Sequence, residues 1–211
     1  LIGILYETAI NDKSNLAVMA VMAAYLIITV VVLYLVVRRL LMTRDERDEQ
    51  IRLSNTDELT GCLNRRAYED YINNKLSWTD KFVYVSMDVD GLKMVNDTRG
   101  HAAGDELIKG AASCMTRCYG ENGKVYRIGG DEFVAIVFAG DEEFAQLKKN
   151  FDKKIASWHG KHVSSMVISS GYVFSDEKKW DSVYDMAKVA DRKMYDEKNK
   201  HYETKGLERR R

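Results

Sequence analysis

The stretch Val125-Tyr126-Arg127-Ile128-Gly129-Gly130-Asp131-Glu132-Phe133-Val134-Ala135-Ile136-Val137-Phe138 decides how this chain folds. Val125 to Ile128 and Phe133 to Phe138 are short β-branched and aromatic runs, separated only by Gly129-Gly130-Asp131-Glu132. Two such runs joined by a short polar turn with glycines spell a β-hairpin. The turn also delivers two carboxylates directly after two residues without side chains. Glycines let a bulky group such as a phosphate approach the backbone, and carboxylates are the hard oxygen ligands that suit Mg²⁺.

Working outward, Phe82 to Met87 reads as another strand, ending in Asp88-Val89-Asp90-Gly91. Helical spacing marks Tyr68, Tyr71, Ile72 and Leu76; Ile108, Ala111, Ala112, Met115 and Tyr119; Phe144, Leu147, Phe151 and Ile155; and Val183, Met186, Ala187, Ala190 and Met194. Val163 to Phe174 is a further strand region. Helix and strand periods alternate over a length of about 150 residues, a normal single domain, so the expected class is α+β. Asp88 and Asp131, delivered from neighbouring strands, are the first candidates for a metal site.

The segment Lys93 to Asp105 is dense in polar groups for a link between a strand and a helix. Asn96 and Asp105 could read a base: guanine presents adjacent N1–H and amino donors that one carboxylate accepts together. Asp97 and Asp105 could instead be helix N-caps, the better expectation for Asp97. Cys114 and Cys118 stand one helical turn apart without a second pair at zinc spacing, so buried free thiols are expected.

Composition bounds the rest. The chain has 211 residues, 32 basic and 32 acidic, 45% hydrophobic, with three cysteines and no proline. Twelve Tyr, six Phe and three Trp give apolar mass for a packed core and exclude a disordered chain. Three scattered cysteines exclude a disulfide scaffold. Zero net charge argues against a nucleic-acid coat, so no nucleic-acid polymer is expected as partner. The balance holds separately in the first 56 residues, which carry six charges of each sign.

Leu16 to Val37 contains no charged residue. At about 1.5 Å per residue it is long enough for a hydrocarbon core of about 30 Å. It reads as a membrane-spanning helix in contact with lipid, and Val36-Val37-Arg38-Arg39 does not resemble a signal-peptide cleavage site. Arg38, Arg39, Arg44 and Arg47 crowd its C-terminal flank, which places the bulk of the chain in the cytoplasm beneath an inner membrane. Residues 1–15 are expected to end an extracytoplasmic region, with more chain upstream because the first residue is Leu1. Residues 38–56 alternate in sign and lack Gly and Pro, predicting a solvated helical stalk. Residues 204–211 form a basic tail.

Five motifs in order then carry a resemblance over residues 57–203: Asp57-Glu58-Leu59-Thr60-Gly61-Cys62-Leu63-Asn64-Arg65-Arg66; Asp88 to Asp97; Gly100-His101-Ala102-Ala103-Gly104-Asp105; Arg127-Ile128-Gly129-Gly130-Asp131-Glu132-Phe133; and Ala190-Asp191 through Met194-Tyr195 to Lys198. The chain resembles the GGDEF-domain diguanylate cyclases. The resemblance implies a nucleotidyl cyclase or polymerase-palm fold, with a mainly antiparallel central sheet flanked by helices. It implies condensation of two GTP molecules into cyclic di-GMP with release of pyrophosphate, by a homodimer. It further implies that Asp88, the Val89 carbonyl and Asp131 bind Mg²⁺ or Mn²⁺, and that Lys93 and Lys198 contact phosphates. Asn96 and Asp105 would hold guanine, Gly129 and Gly130 would lie against the nucleotide, and Asp131 and Glu132 would serve catalysis. A silent GTP-binding or docking module on the same fold is the alternative.

Three positions depart from the family pattern. Glu58 stands where proline is usual, Tyr202 where a phosphate-contacting Arg is common, and Gly120-Glu121-Asn122-Gly123 where an Arg-x-x-Asp motif would bind product. No feedback inhibition through that last site is expected.

Overall fold

The computed structural model describes residues 2–205, with side chains described for residues 16, 18–42, 51 and 54–203. Residues 206–211, most of the expected basic tail, lie outside the described residues. The chain divides into two units, meeting between Ser54 and Asn55.

The first unit is one helix, α1 (Ile2–Asn55). It contains no proline to break the ladder. Its apolar stretch Val18–Met42 is long and apolar enough to cross a membrane, and its side chains are exposed along their length. Thr29 donates to the Tyr25 carbonyl at 2.8 Å, so its hydroxyl needs no water. The segment read as a stalk continues the same helix.

The second unit holds β1 (Leu63–Asn64), α2 (Arg65–Asn74), β2 (Val83–Val89), α3 (Leu92–Arg99), α4 (His101–Tyr119), β3 (Gly123–Arg127), β4 (Glu132–Val137), α5 (Asp141–Ala156), β5 (Ile168–Phe174) and α6 (Val183–Lys205). The strands form one sheet in the order β1-β3-β4-β2-β5. Every pairing is antiparallel except β1 with β3, as expected of a mainly antiparallel α+β sheet. The hairpin is β3 and β4, with Arg127 opposite Phe133.

β2 lies between β4 and β5, and all seven of its residues are buried. Helices cover both faces, which explains its near-continuous apolar run. Val83, Val85, Met87 and Val89 join a core with Leu107, Ile108, Met115, Tyr119, Phe144 and Phe151 from α4 and α5. Tyr84 points to the other face, with Tyr126, Ile136, Val173, Met186 and Ala190. Cys62, Cys114 and Cys118 are free and buried, and burial pushes their thiols up.

Three local expectations are corrected. β2 reaches Val89, so Asp88 and Val89 lie inside the strand, held by pairing on both sides. The polar link after it is itself helical: α3 starts from Gly91 in the left-handed region, at φ 78. Asp97 is inside α3 and caps nothing, the residue before α4 being Gly100.

Candidate functional site

The site forms at one end of the central strands. Asp88 faces Glu132 across the β2–β4 pair and Ser169 across the β2–β5 pair. Directly opposed residues of antiparallel strands share a face, so these three side chains emerge on the side that α6 covers. The Val89 N–H donates to the Asp131 carbonyl at 3.0 Å. That bond ties the glycine turn to the end of β2 and brings Asp131 beside Asp88.

The turn has a second anchor. Arg127 donates from Nη1 to Asp57 Oδ1 and Oδ2 at 3.0 and 3.2 Å, from Nε to the Gly129 carbonyl at 3.1 Å, and from Nη2 to the Gly130 carbonyl at 2.7 Å. One guanidinium thus joins the opening Asp57-Glu58-Leu59-Thr60 motif to the glycine turn. Burial opposes ionisation of Asp57, but hydrogen bonds from Thr60 and Arg127 outweigh it and hold the carboxyl below its ordinary value. Neither Gly129 nor Gly130 has positive φ. Their use here is space: a Cβ on Gly130 would meet nothing within 4 Å, while one on Gly129 would stand 2.8 Å from the Glu132 carboxylate.

α6 closes the site. Ser86 of β2 donates to Asp191, and Lys198 Nζ donates to Asp88 Oδ1 at 2.6 Å. Lys198 also lies 3.8 Å from Asp90 Oδ1, an atom that accepts no hydrogen bond. Asp90 Oδ2 takes the Ser169 hydroxyl at 2.7 Å and meets His201 Nδ1 at 3.2 Å. Glu197 accepts from the Ser170 backbone and hydroxyl, locking α6 to β5.

The Asp88–Lys198 pair pulls in two directions. Burial raises Asp88 above its ordinary carboxylate value despite Lys198, and the charges of Asp131 and Asp90 add to the rise. Burial alone would lower Lys198, yet the bond to Asp88 and the charges of Asp88 and Asp90 carry it above its ordinary value. Beyond burial, which dominates for Asp88, the charges of Asp131 and Asp90 beside Asp88 and of Asp88 and Asp90 beside Lys198 push both groups the same way.

The other expected residues fall on α3 and α4. Asn96 is half-buried against α4, where a Cβ on Gly104 would stand 2.0 Å from its Oδ1. Asp105, the residue after Gly104 on α4, is exposed, as is Lys93 on the first turn of α3. Asp88, Val89, Asp131, Glu132 and Lys198 share one end of the sheet; Asn96 and Asp105 lie on the packed helices α3 and α4. The sequence reading missed Arg127, Ser169 and His201 as organisers of the site. His201 follows Lys198 at i+3 on α6, and that shared helix face was the available signal.

A cavity of about 550 Å³ lies elsewhere, lined by Arg117, Leu147, Asn150 and Lys154 among others. It contains none of the candidate carboxylates, so the chemistry is placed by the strand ends and not by cavity size.

Residues 54–204 match the family model described as "Diguanylate cyclase, GGDEF domain". The chain belongs to the GGDEF family. The diguanylate cyclase DgcN of Escherichia coli (strain K12) is 31% identical over 162 residues, which are 72% of this chain and 39% of that protein. The cyclic di-GMP phosphodiesterase PdeR of the same organism is 37% identical over 97 residues, 44% of this chain and 15% of that protein. The chain therefore spans well under half of these curated relatives. In fold, the GGDEF protein resembles the diguanylate cyclase SiaD from Pseudomonas aeruginosa, solved with its activator SiaC. The TM-score is 0.71 at 22% identity, covering 92% of this chain and 76% of that one.

Proposed function

We propose that this GGDEF domain is an active diguanylate cyclase, the catalytic output of a membrane-anchored signalling protein. Each domain would hold one GTP, and two domains would face each other. Each 3′-hydroxyl then attacks the α-phosphorus of the other nucleotide; a P–O bond forms, the α–β anhydride breaks, and pyrophosphate leaves. The observation that carries this reading is the convergence of Asp88 and Asp131, fixed by the Val89–Asp131 backbone bond.

Mg²⁺ or Mn²⁺ would be held by Asp88, Asp131 and the Val89 carbonyl oxygen. The donors fit: they are hard oxygens, the local charge is negative in excess, and Asp90 Oδ1 has no hydrogen bond. Among the described residues no group of three or more His, Cys, Asp or Glu forms a ready cage. Mg²⁺ usually takes one or two carboxylates and completes its shell with substrate phosphates and water. When bound, the ion makes the 3′-hydroxyl more acidic and neutralises charge at the α-phosphate.

The chain's own residues do the rest. Lys93 and Lys198 hold the phosphates as point charges. Gly129 and Gly130, with no Cβ, let the nucleotide lie against the turn. Asp105 accepts from guanine N1–H and the amino group, and Asn96 completes that edge. Glu132, paired across the strands with Asp88, would orient the attacking hydroxyl or take its proton.

A silent GTP-binding module is the second reading. One observation favours it: PdeR, 37% identical over 97 residues, is named for a phosphodiesterase. Incubating the detergent-solubilised chain with GTP and Mg²⁺ and separating products by chromatography decides between the two. An active site yields cyclic di-GMP and pyrophosphate, and Asp88→Asn lowers the rate at least about a hundredfold, given that even outer-shell partners cost 10–100-fold. Bound GTP with no product in the wild-type chain would establish the silent module.

A further inference from the structure

We propose that Lys198 is a resident occupant of the cation position on Asp88, so that a divalent cation and the nucleotide phosphates bind as a coupled pair. The inference rests on the reading of Asp88 as a metal ligand given above.

Lys198 Nζ stands 2.6 Å from Asp88 Oδ1, and the two side chains are 17% and 10% exposed. A Mg²⁺ ligated by that oxygen would sit at about 2.0–2.1 Å. A dication on the same carboxylate would stand within a few ångströms of the Lys198 ammonium and repel it. Cation binding therefore favours withdrawal of Lys198, and a withdrawn Lys198 is available to a phosphate.

Withdrawal alone is unfavourable, because it breaks a charge-assisted bond in a half-buried place. A nucleotide phosphate offers the released ammonium a new partner, and the lysine's four-carbon stem allows the move without displacing α6. Metal entry and phosphate entry therefore each relieve the cost of the other, and such coupling is reciprocal by thermodynamic necessity. Asp90 is built to stay in place meanwhile: Ser169 and His201 hold its Oδ2, and only its Oδ1, 3.8 Å from Lys198, loses a neighbouring charge.

A permanent structural ion pair makes opposite predictions. It would never reach a phosphate, so Lys198→Met would leave the coupling between Mn²⁺ and nucleotide at its wild-type size.

The test uses the full chain in detergent micelles, with Mn²⁺ titrated alone and free Mn²⁺ read by electron paramagnetic resonance. A second arm measures binding of a GTP analogue with a non-hydrolysable α–β linkage, with and without Mn²⁺. In the wild-type chain, each ligand should strengthen the other by roughly 5–150-fold. Lys198→Met and Lys198→Gln should bind Mn²⁺ alone at least about tenfold more tightly than wild type, with the coupling to nucleotide largely lost. Lys198→Arg, which keeps the charge, should bind Mn²⁺ alone no more tightly than wild type. Thermal melts identify any variant that fails to fold, and either uncharged variant suffices.

Nucleotide-free Mn²⁺ binding equal to or weaker than wild type in the folded uncharged variants would overturn the inference. So would a wild-type chain in which Mn²⁺ and nucleotide bind independently. If Asp88→Asn retains Mn²⁺ as well as wild type does, the metal assignment itself fails instead.

Discussion

Arg127 touches none of the candidate metal ligands, yet the turn carrying Asp131 depends on it. Its bidentate bond to Asp57 and its bonds to the Gly129 and Gly130 carbonyls are charge-assisted and mostly shielded, at 15% and 24% side-chain exposure for the ion pair. Arg127→Ala should cost about 2 kcal/mol of stability in urea titrations. The sign of its pH dependence follows from Asp57, whose folded-state value lies below the ordinary one. The contribution is complete above the unfolded value near 4 and fades as pH falls through the folded value. The stability gap between wild type and Asp57→Asn should therefore close on acidification, and a gap constant from about pH 7 to pH 2 would refute the assignment. Gly104 makes a different point. Adding a Cβ there forces Asn96 Oδ1, 2.0 Å away, out of its place, but the displaced atom is the end of a side chain and not backbone. Gly104→Ala should leave the melting temperature nearly unchanged while weakening guanine-nucleotide binding roughly tenfold, about 1.4 kcal/mol, in a calorimetric titration. Unaltered affinity would remove Asn96 from the base site.

At the scale of elements, the site exists because α6 lies tightly on β5 and β2. Gly171 of β5 permits this: a Cβ there would meet the Ala190 carbonyl oxygen at 2.1 Å and the Met194 nitrogen at 2.3 Å, both backbone. Backbone cannot give as a side chain does, so Gly171→Ala should lift α6 and cost about 3 kcal/mol, visible in chemical denaturation. A loss under about 0.5 kcal/mol, the range of ordinary surface substitutions, would show that α6 tolerates the displacement. Elements with a clear period were legible: the hairpin β3–β4, the buried β2, and α4 to α6 all declare themselves by apolar spacing. α3 was not, because Leu92, Met94 and Val95 are its only apolar residues and tertiary packing on α4 supplies what its pattern lacks. β1, two residues long, has no period to read. The candidate site was legible by residue type, since carboxylates after a strand and beside glycines are conspicuous. Its partners were not: Ser169 and His201 are 79 and 111 residues from Asp90, and only the fold brings them to it.

Over the whole molecule, one helix with an exposed apolar stretch precedes one GGDEF domain. Deleting residues 18–42 should move the chain from the membrane fraction to the soluble fraction on centrifugation, because an exposed apolar surface of that length requires lipid or detergent. A wild-type chain that sediments as soluble without detergent would refute the anchoring. On the proposed reading, activity needs two such domains, each supplying one nucleotide to the same product. The measurement that tests the central claim most directly is the rate of cyclic di-GMP formation from GTP as a function of chain concentration, in wild type and in Asp131→Asn. The account predicts a rate per chain that rises with concentration in the wild type and falls at least about a hundredfold in the variant. No cyclic di-GMP at any concentration, or the same rate in Asp131→Asn, would contradict it.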